Sequence, residues 1–250
     1  MFNPKLSVIT IVYNNVSDIE RTMLSVLGQT YKNIEYIIID GLSTDGTLGI
    51  VKKYRDKLAK LISEKDEGIY DAMNKGLTAA TGDYVLFMNS GDEFYSAETV
   101  ADVFATEADA DIYYGETEMI DAKGNSLGQR RHKAPENFTW RSFKYGMSVS
   151  HQAIYVRRPI AEPFDRTYHL SADIDWILKA AKKAKKIINT NQYVAKYLVG
   201  GMSKKRHRQS LKERFDIMKK HYGLVPTLFN HLVIAFNLGW YWLLHRRTND

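Results

Sequence analysis

Apolar and polar positions alternate in two rhythms along the first half of the chain. Ser7–Tyr13 is a short continuous apolar run of strand length. Ser17-Asp18-Ile19-Glu20 has the spacing of a capping box, with Ser17 as N-cap. Ile19, Met23, Val26 and Leu27 then share one helical face, and Gly28 suits its stop. Asn33–Asp40 (NIEYIIID) predicts a second strand, apolar enough to be buried on both faces. Asp45–Arg55 predicts a helix and Leu61–Ser63 a brief strand. Ile69, Met73 and Leu77 mark a third helix, closed by Thr81-Gly82-Asp83. A fourth strand, Tyr84–Met88, stops on Asn89-Ser90-Gly91-Asp92-Glu93. Further on, Asp111–Asp121 and the turn Ala122–Asn125 predict a hairpin, Val149–Arg157 a strand and Asp173–Lys186 a helix. No linker and no internal repeat divides the chain.

Strand–helix repeats with short links predict an α/β fold, a doubly wound and mainly parallel sheet with helices on both faces. Such sheets bind ligands outside the carboxyl ends of their strands. Polar residues crowd four of those ends: Tyr13-Asn14-Asn15, Asp40-Gly41, Glu64 to Gly68, and Ser90 to Glu93. One such end is a surface turn. Four argue for a shared cleft.

Composition narrows this little. The chain has 250 residues, 44% hydrophobic and 26% charged, enough for one large core or one domain plus appendages. It has no cysteine, which excludes disulfides and thiolate metal sites. Its N-terminus reads as a first strand rather than a signal peptide. The net charge of +6 is uneven, with acids dominating 64–121 and bases 179–222. A basic region suits an anionic partner; a solvated helix face is the plainer reading.

Candidate chemistry starts from an absence. The first strand is followed by Tyr13-Asn14-Asn15-Val16-Ser17, without the G-x-G-x-x-G of a dinucleotide site, and no P-loop is present. An aromatic such as Tyr13 can still stack on a nucleobase. A carboxylate such as Asp40 can accept a hydrogen bond from a base or ribose. A diphosphate would need a divalent cation held by oxygen ligands at a neighbouring strand end.

SVITIVYNNVSDIERTMLSVLGQTYKNIEYIIIDGLSTDGT resembles the opening of the family 2 glycosyltransferases of the GT-A (Rossmann-like) fold, and EKDEGIYDAMNKGLTAATGDYVLFMNSGDEF resembles the middle of that motif set. SHQAIYVRR, HLSADIDWILK and YLVGGMS extend the likeness, more weakly, to about residue 203. The resemblance implies a nucleotide-sugar donor, with a UDP-sugar expected, a divalent cation (Mn²⁺ or Mg²⁺) and inversion at the anomeric carbon. Tyr13 and the backbone near Ile11 would meet the base, and Asp40 would hydrogen-bond it. Asp66 and Lys75 would lie near the nucleoside or diphosphate, although Lys75 and Asp71 also suit a plain ion pair. Ser90-Gly91-Asp92 looks like a reduced D-x-D motif with Asp92 as metal ligand. The family often has several acids there; His151 and His207 are candidates for a second ligand, against a structural and a solvated histidine. The family's E-D-x-D segment reads Ala172-Asp173-Ile174-Asp175 here. Asp173 takes the place of the base and Asp175 that of a structural or acceptor-contacting acid. Trp140, Tyr145, His151 and His169 are acceptor-side candidates, with core packing the alternative for the aromatics.

The expected organisation is a catalytic domain over 1–203, with a nucleotide-sugar half to about 95 and an acceptor half from about 96, then a basic, amphipathic helical extension over 204–250. Residues 224–244 (LVPTLFNHLVIAFNLGWYWLL) approach spanning length, but Pro226, Asn230, His231 and Asn237 are too polar for a span. The apolar stripe, the Trp240-Tyr241-Trp242 cluster and Arg246-Arg247 instead suit an anionic lipid surface, with a packed helix or homodimer interface as alternatives. The resulting expectation is a bacterial-type enzyme, cytoplasmic and peripheral on the inner face of the membrane. It would glycosylate an envelope-glycan acceptor, free or carried on lipid, and it would bind no nucleic acid. A nucleotidyltransferase on a related sheet, or a non-enzymatic protein that binds anionic surfaces, are the competing readings.

Overall fold

The computed structural model describes residues 2–130, 133–200 and 206–245, with side chains as far as Phe236. The strands are β1 (Leu6–Val12), β2 (Ile34–Asp40), β3 (Lys60–Ser63), β4 (Tyr84–Phe87), β5 (Glu93–Phe94), β6 (Ile112–Ile120), β7 (Ser126–Gln129), β8 (Ile154–Arg157) and β9 (Ile187–Leu198). The helices are α1 (Ile19–Leu27), α2 (Thr47–Lys53), α3 (Ile69–Ala79), α4 (Thr99–Thr106), α5 (Ala172–Lys183), α6 (His207–Tyr222) and α7 (Leu224–His245). One sheet runs β3-β2-β1-β4-β8-β6-β9-β5, with β7 paired to β6. Its first four strands are parallel, in the register Leu6↔Ile34 and Leu6↔Tyr84. β8 then pairs antiparallel with both β4 and β6, while the long β6–β9 pair is parallel.

Strand alternation sorts the core into two layers. Ile9, Ile11, Ile37, Ile39, Val85 and Phe87 face α3, α5 and α6. Leu6, Val8, Tyr36, Ile38, Leu86 and Met88 face the apolar stripes of α1, α2 and α4. All seven β1 residues are buried, as befits a central strand covered on both sides. The expected α/β sheet with helices on both faces is therefore present, and the hairpin forms between β6 and β7.

Several local expectations differ. The capping box at Ser17 does not form: Asp18 is the N-cap and makes no side-chain cap bond. Ser17 Oγ instead donates to Asn15 Oδ1 and Asp18 Oδ2, and Glu20 accepts the Tyr54 hydroxyl at 2.7 Å. The helix expected from Asp45 starts at Thr47, because Asp45 accepts from the backbone N–H of Thr47 and of Val16. The strand expected over Val149–Arg157 begins only at Ile154, since His151–Ala153 turn as a short 3₁₀ segment.

Glu35 pins the edge of the sheet opposite the cleft. It accepts from Ser7 Oγ (2.6 Å), Thr81 N (2.8 Å), Thr81 Oγ1 (2.7 Å) and Lys5 Nζ (3.0 Å). Burial alone would raise its pKa, but these donors pull it down to about 2. A lowered folded pKa adds stability above the ordinary carboxylate range, and that stability is lost as pH falls toward 2. We expect Glu35→Gln to cost about 1–3 kcal/mol at neutral pH. Its thermal midpoint should also fall less steeply than that of the parent between neutral pH and pH 3. Parallel melting curves for the two proteins would count against the assignment.

Candidate active site

The carboxyl ends of β1 to β4 lie side by side. Tyr13 leaves β1 with 65% of its surface exposed. A Cβ on Gly41 would stand 2.9 Å from Asp66 Oδ2 and 3.2 Å from the Tyr13 ring, so Gly41 forms the floor between an open aromatic and a carboxylate. Asp40 is fully buried beneath it and accepts from Ser63 Oγ (2.6 Å) and Ser43 N (3.2 Å). Its visible role is to order the loop after β2. The Ile11 carbonyl takes Ser90 N at 3.3 Å, which draws the β4 turn against β1. Lys75 meets Asp66 (2.7 Å), Glu64 (3.0 Å) and Asp71 (3.4 Å). Burial opposes its charge, but these carboxylates outweigh it and raise its pKa. Lys75 is thus already neutralised on this edge.

The β4 turn is held from three sides. Asn15 Nδ2 donates to Ser90 Oγ (3.0 Å), Gly91 N to Thr22 Oγ1 (2.8 Å) and Leu198 N to Asp92 Oδ1 (3.1 Å). Gly91 has φ +105° and a Cβ there would meet Leu198 at 2.8 Å, so the turn needs glycine. Burial pushes the Asp92 carboxyl up to about 7, with the hydrogen bond from Leu198 N–H only partly opposing it. Asn89 Oδ1 is buried without a hydrogen-bond partner among the described residues. The turn therefore carries a carboxylate short of positive charge and an unengaged amide oxygen. Such hard donors suit Mg²⁺ or Mn²⁺, which often take one or two carboxylates and complete their shell with phosphate and water. Among the described residues no three His, Asp or Glu side chains converge on an ion.

His151 joins this turn to the start of α5. Its Nδ1 lies 3.2 Å from Asp173 Oδ2 and its Nε2 3.0 Å from Asn89 Nδ2. An ionised carboxylate only accepts, so Nδ1 carries the proton and Nε2 accepts from the Asn89 amide. Both ring nitrogens of His151, a candidate second metal ligand, are thus engaged by Asp173 and Asn89. The other candidate, His207, is exposed in the first turn of α6. Asp173 Oδ1 also accepts from the Tyr70 hydroxyl (3.2 Å) and Ile174 N (3.0 Å). Burial would raise the Asp173 pKa, but the His151 hydrogen bond, the nearby Arg214 charge and the Ile174 N–H outweigh it and lower it, so the carboxylate is ionised at neutral pH.

A sequence model for the family described as "Glycosyl transferase family 2" matches residues 7–163. The chain belongs to this family. It is 34% identical over 187 residues to an uncharacterized glycosyltransferase of Mycobacterium tuberculosis, covering 71% of this chain and 69% of that protein. It is 30% identical over 191 residues to a PGL/p-HBAD biosynthesis glycosyltransferase of Mycobacterium bovis, covering 72% and 70%. Staphylococcus aureus TarS, residues 1–349 in complex with UDP-GlcNAc, matches with a TM-score of 0.66 at 22% identity, over 98% of this chain and 74% of that one. That structural likeness carries the GT-A fold. As a glycosyltransferase, the protein is an enzyme, and the non-enzymatic and nucleotidyltransferase readings fall away.

Within this glycosyltransferase two acceptor-side candidates make structural contacts. Asp175 is fully buried and binds His221 Nε2 (2.7 Å), Lys179 Nζ (2.8 Å) and Lys220 Nζ (3.1 Å). It clamps α5 to α6, which is the structural of its two readings. Trp140 stacks on Tyr222 with centroids 5.4 Å apart and packs against the core. Sequence reasoning missed Tyr70 as a partner of Asp173 and Glu213 as a second clamp. Glu213 accepts from the backbone N–H of His169 (3.1 Å) and Leu170 (2.8 Å). Both act across elements distant in sequence, and no local motif marks them. Asp175→Asn should remove the charge-assisted bonds that the buried carboxylate accepts from His221, Lys179 and Lys220 and lower stability by about 1–3 kcal/mol. Donor hydrolysis per folded molecule should survive. An unchanged melting temperature with weakened acceptor binding would return Asp175 to the acceptor side.

Proposed function

We propose that this glycosyltransferase moves a sugar from a UDP-sugar to an acceptor hydroxyl of an envelope glycan, with inversion, using Asp173 as general base and Asp92 as ligand of a divalent cation. The observation that carries this reading is the Asn89–His151–Asp173 chain. It links the turn suited to a diphosphate with an ionised carboxylate on the opposite wall of one cleft. The open Tyr13 ring over Gly41, with Asp66 beside it, offers a slot for the nucleobase. The UDP-GlcNAc held by TarS supports a UDP-linked donor, and the role printed for the M. bovis relative supports an envelope acceptor.

The acceptor hydroxyl enters beside Asp173, where Glu67, Gly68, Tyr70, Tyr168 and His169 line a groove. As its oxygen bonds to the anomeric carbon, its proton passes to Asp173, and the bond from that carbon to the diphosphate oxygen breaks on the far side. UDP leaves and the configuration inverts. His151 and Tyr70 fix the carboxylate so that one lone pair faces the acceptor. Bound at Asp92, a cation would supply positive charge to the leaving diphosphate.

Asp173→Asn keeps size and most hydrogen bonds but cannot take the proton. Transfer should fall by about two to four orders of magnitude, while calorimetry finds UDP binding unchanged. Asp92→Ala should abolish Mn²⁺-dependent UDP binding. Near-normal transfer by the Asp173 variant would remove it from the base role. Tyr13→Ala should raise the donor KM more than it lowers kcat, because stacking acts on ground and transition states alike. Unchanged donor affinity would place the nucleobase elsewhere.

A further inference from the structure

The last helix, α7, is amphipathic the wrong way round. α6 and α7 fold back on each other at Gly223, and the His231 ring meets Phe215 edge-on at 5.1 Å. On α7 the stripe turned inward is the more polar one, including fully buried Thr227 and half-buried His231. The stripe turned outward holds Val225 (76% exposed), Leu228 (48%), Phe229 (64%) and Leu232 (70%). Their spacing of three and four residues puts them in one row. A surface helix in water normally shows the reverse. A contiguous apolar row of this kind marks a surface that is covered in use.

The surrounding charge says by what. On α6, Lys212 and Lys219 lie three residues before and four after Phe215, in the row that adjoins α7, and both are exposed. Arg206 and Arg208 are exposed at the start of the same helix. Between 206 and 236 the acids are Glu213 and Asp216, and Glu213 is buried and engaged by the N–H groups of His169 and Leu170. An apolar row framed by nearly unopposed bases complements a bilayer, which offers hydrocarbon beneath a layer of anionic headgroups. Among the described residues no helix is long and apolar enough to cross a membrane. The helix would therefore lie along the interface.

We infer that the α6–α7 hairpin is a docking platform for an anionic lipid surface. Val225, Leu228, Phe229 and Leu232 enter the headgroup–acyl boundary, and Lys212 and Lys219 meet lipid phosphates. The platform is fixed to the catalytic body by the Asp175 cluster and by Glu213, so docking holds α5 at a set height over the bilayer. This inference does not depend on the donor or on the base assignment.

Flotation of the full chain with vesicles separates the outcomes. With phosphatidylglycerol in a phosphatidylcholine bilayer at low salt, the protein should float with the vesicles. Phosphatidylcholine alone, or high salt, should weaken binding by about tenfold or more. Phe229→Asp with Leu232→Asp should abolish flotation without lowering the melting temperature, since both sites are exposed. Lys212→Gln with Lys219→Gln should weaken binding to the anionic vesicles alone. Donor hydrolysis should stay at the parent level in both double variants. No flotation at low salt, or equal flotation of the aspartate variant, overturns the inference. A parent dimer that the aspartate variant turns into a monomer, without loss of vesicle binding, assigns the stripe to a second copy instead.

Discussion

The hydrogen-bond chain through His151 is the constraint on which the site depends. With an ionised Asp173 that only accepts and Asn89 Nδ2 turned toward the ring, the proton sits on Nδ1 toward Asp173 and the Nε2 lone pair faces Asn89. That arrangement requires three elements to meet. β4 must end where Asn89 can reach, the chain before β8 must turn so that His151 points into the cleft, and α5 must begin with Asp173 beside it. The 3₁₀ turn that shortens β8 is therefore part of the site. It also leaves Asn89 Oδ1 unengaged next to a buried acid, which keeps the turn suited to a cation.

Burial sets opposite electrostatics on two acids of the same cleft. Asp92 has few donors around it among the described residues, so burial dominates and its charge is costly. Asp173 is as enclosed but receives His151, Tyr70 and Ile174 N–H, and its charge is stabilised without a metal. The different electrostatics of Asp92 and Asp173, and the different roles proposed for them, follow from neighbours rather than residue type. Behind the cleft, Asp175 ties α5 to α6, and Glu213 ties α6 to the chain that leads into α5.

Much of the fold is legible in the sequence because the periodicities are strong. β1 and β2 are continuous apolar runs, and the two layers of the core follow from their alternation. The crowding of polar residues at four strand ends is enough to locate the cleft. What the sequence hides has physical reasons. Local chemistry suggests a capping box at Ser17, but Tyr54 competes for Glu20 across the fold. β9 has polar residues at every bend of its course, so its pattern is weak, although it is twelve residues long. His151 stands out as a residue, yet its partners do not, since both of its hydrogen bonds reach across the chain. Asp173 and Asp175 have the same local sequence signature, and only packing against α6 separates a reactive carboxylate from a structural one. The roles expected of Trp240 to Trp242 concern side chains outside the described set, and Arg246 and Arg247 lie outside the described residues.

In the proposed function, His151 positions Asp173 as the base and does not hold the cation. A double-mutant cycle between His151→Ala and Asp173→Asn, read as single-turnover transfer alongside Mn²⁺ and UDP affinity, tests it most directly. The account predicts that His151→Ala slows transfer by about ten- to a hundredfold. Mn²⁺ and UDP affinities should stay at the parent level, and the substitution should slow the Asp173→Asn enzyme little further. Losses that add in full, or a loss of Mn²⁺ affinity in His151→Ala, would contradict it.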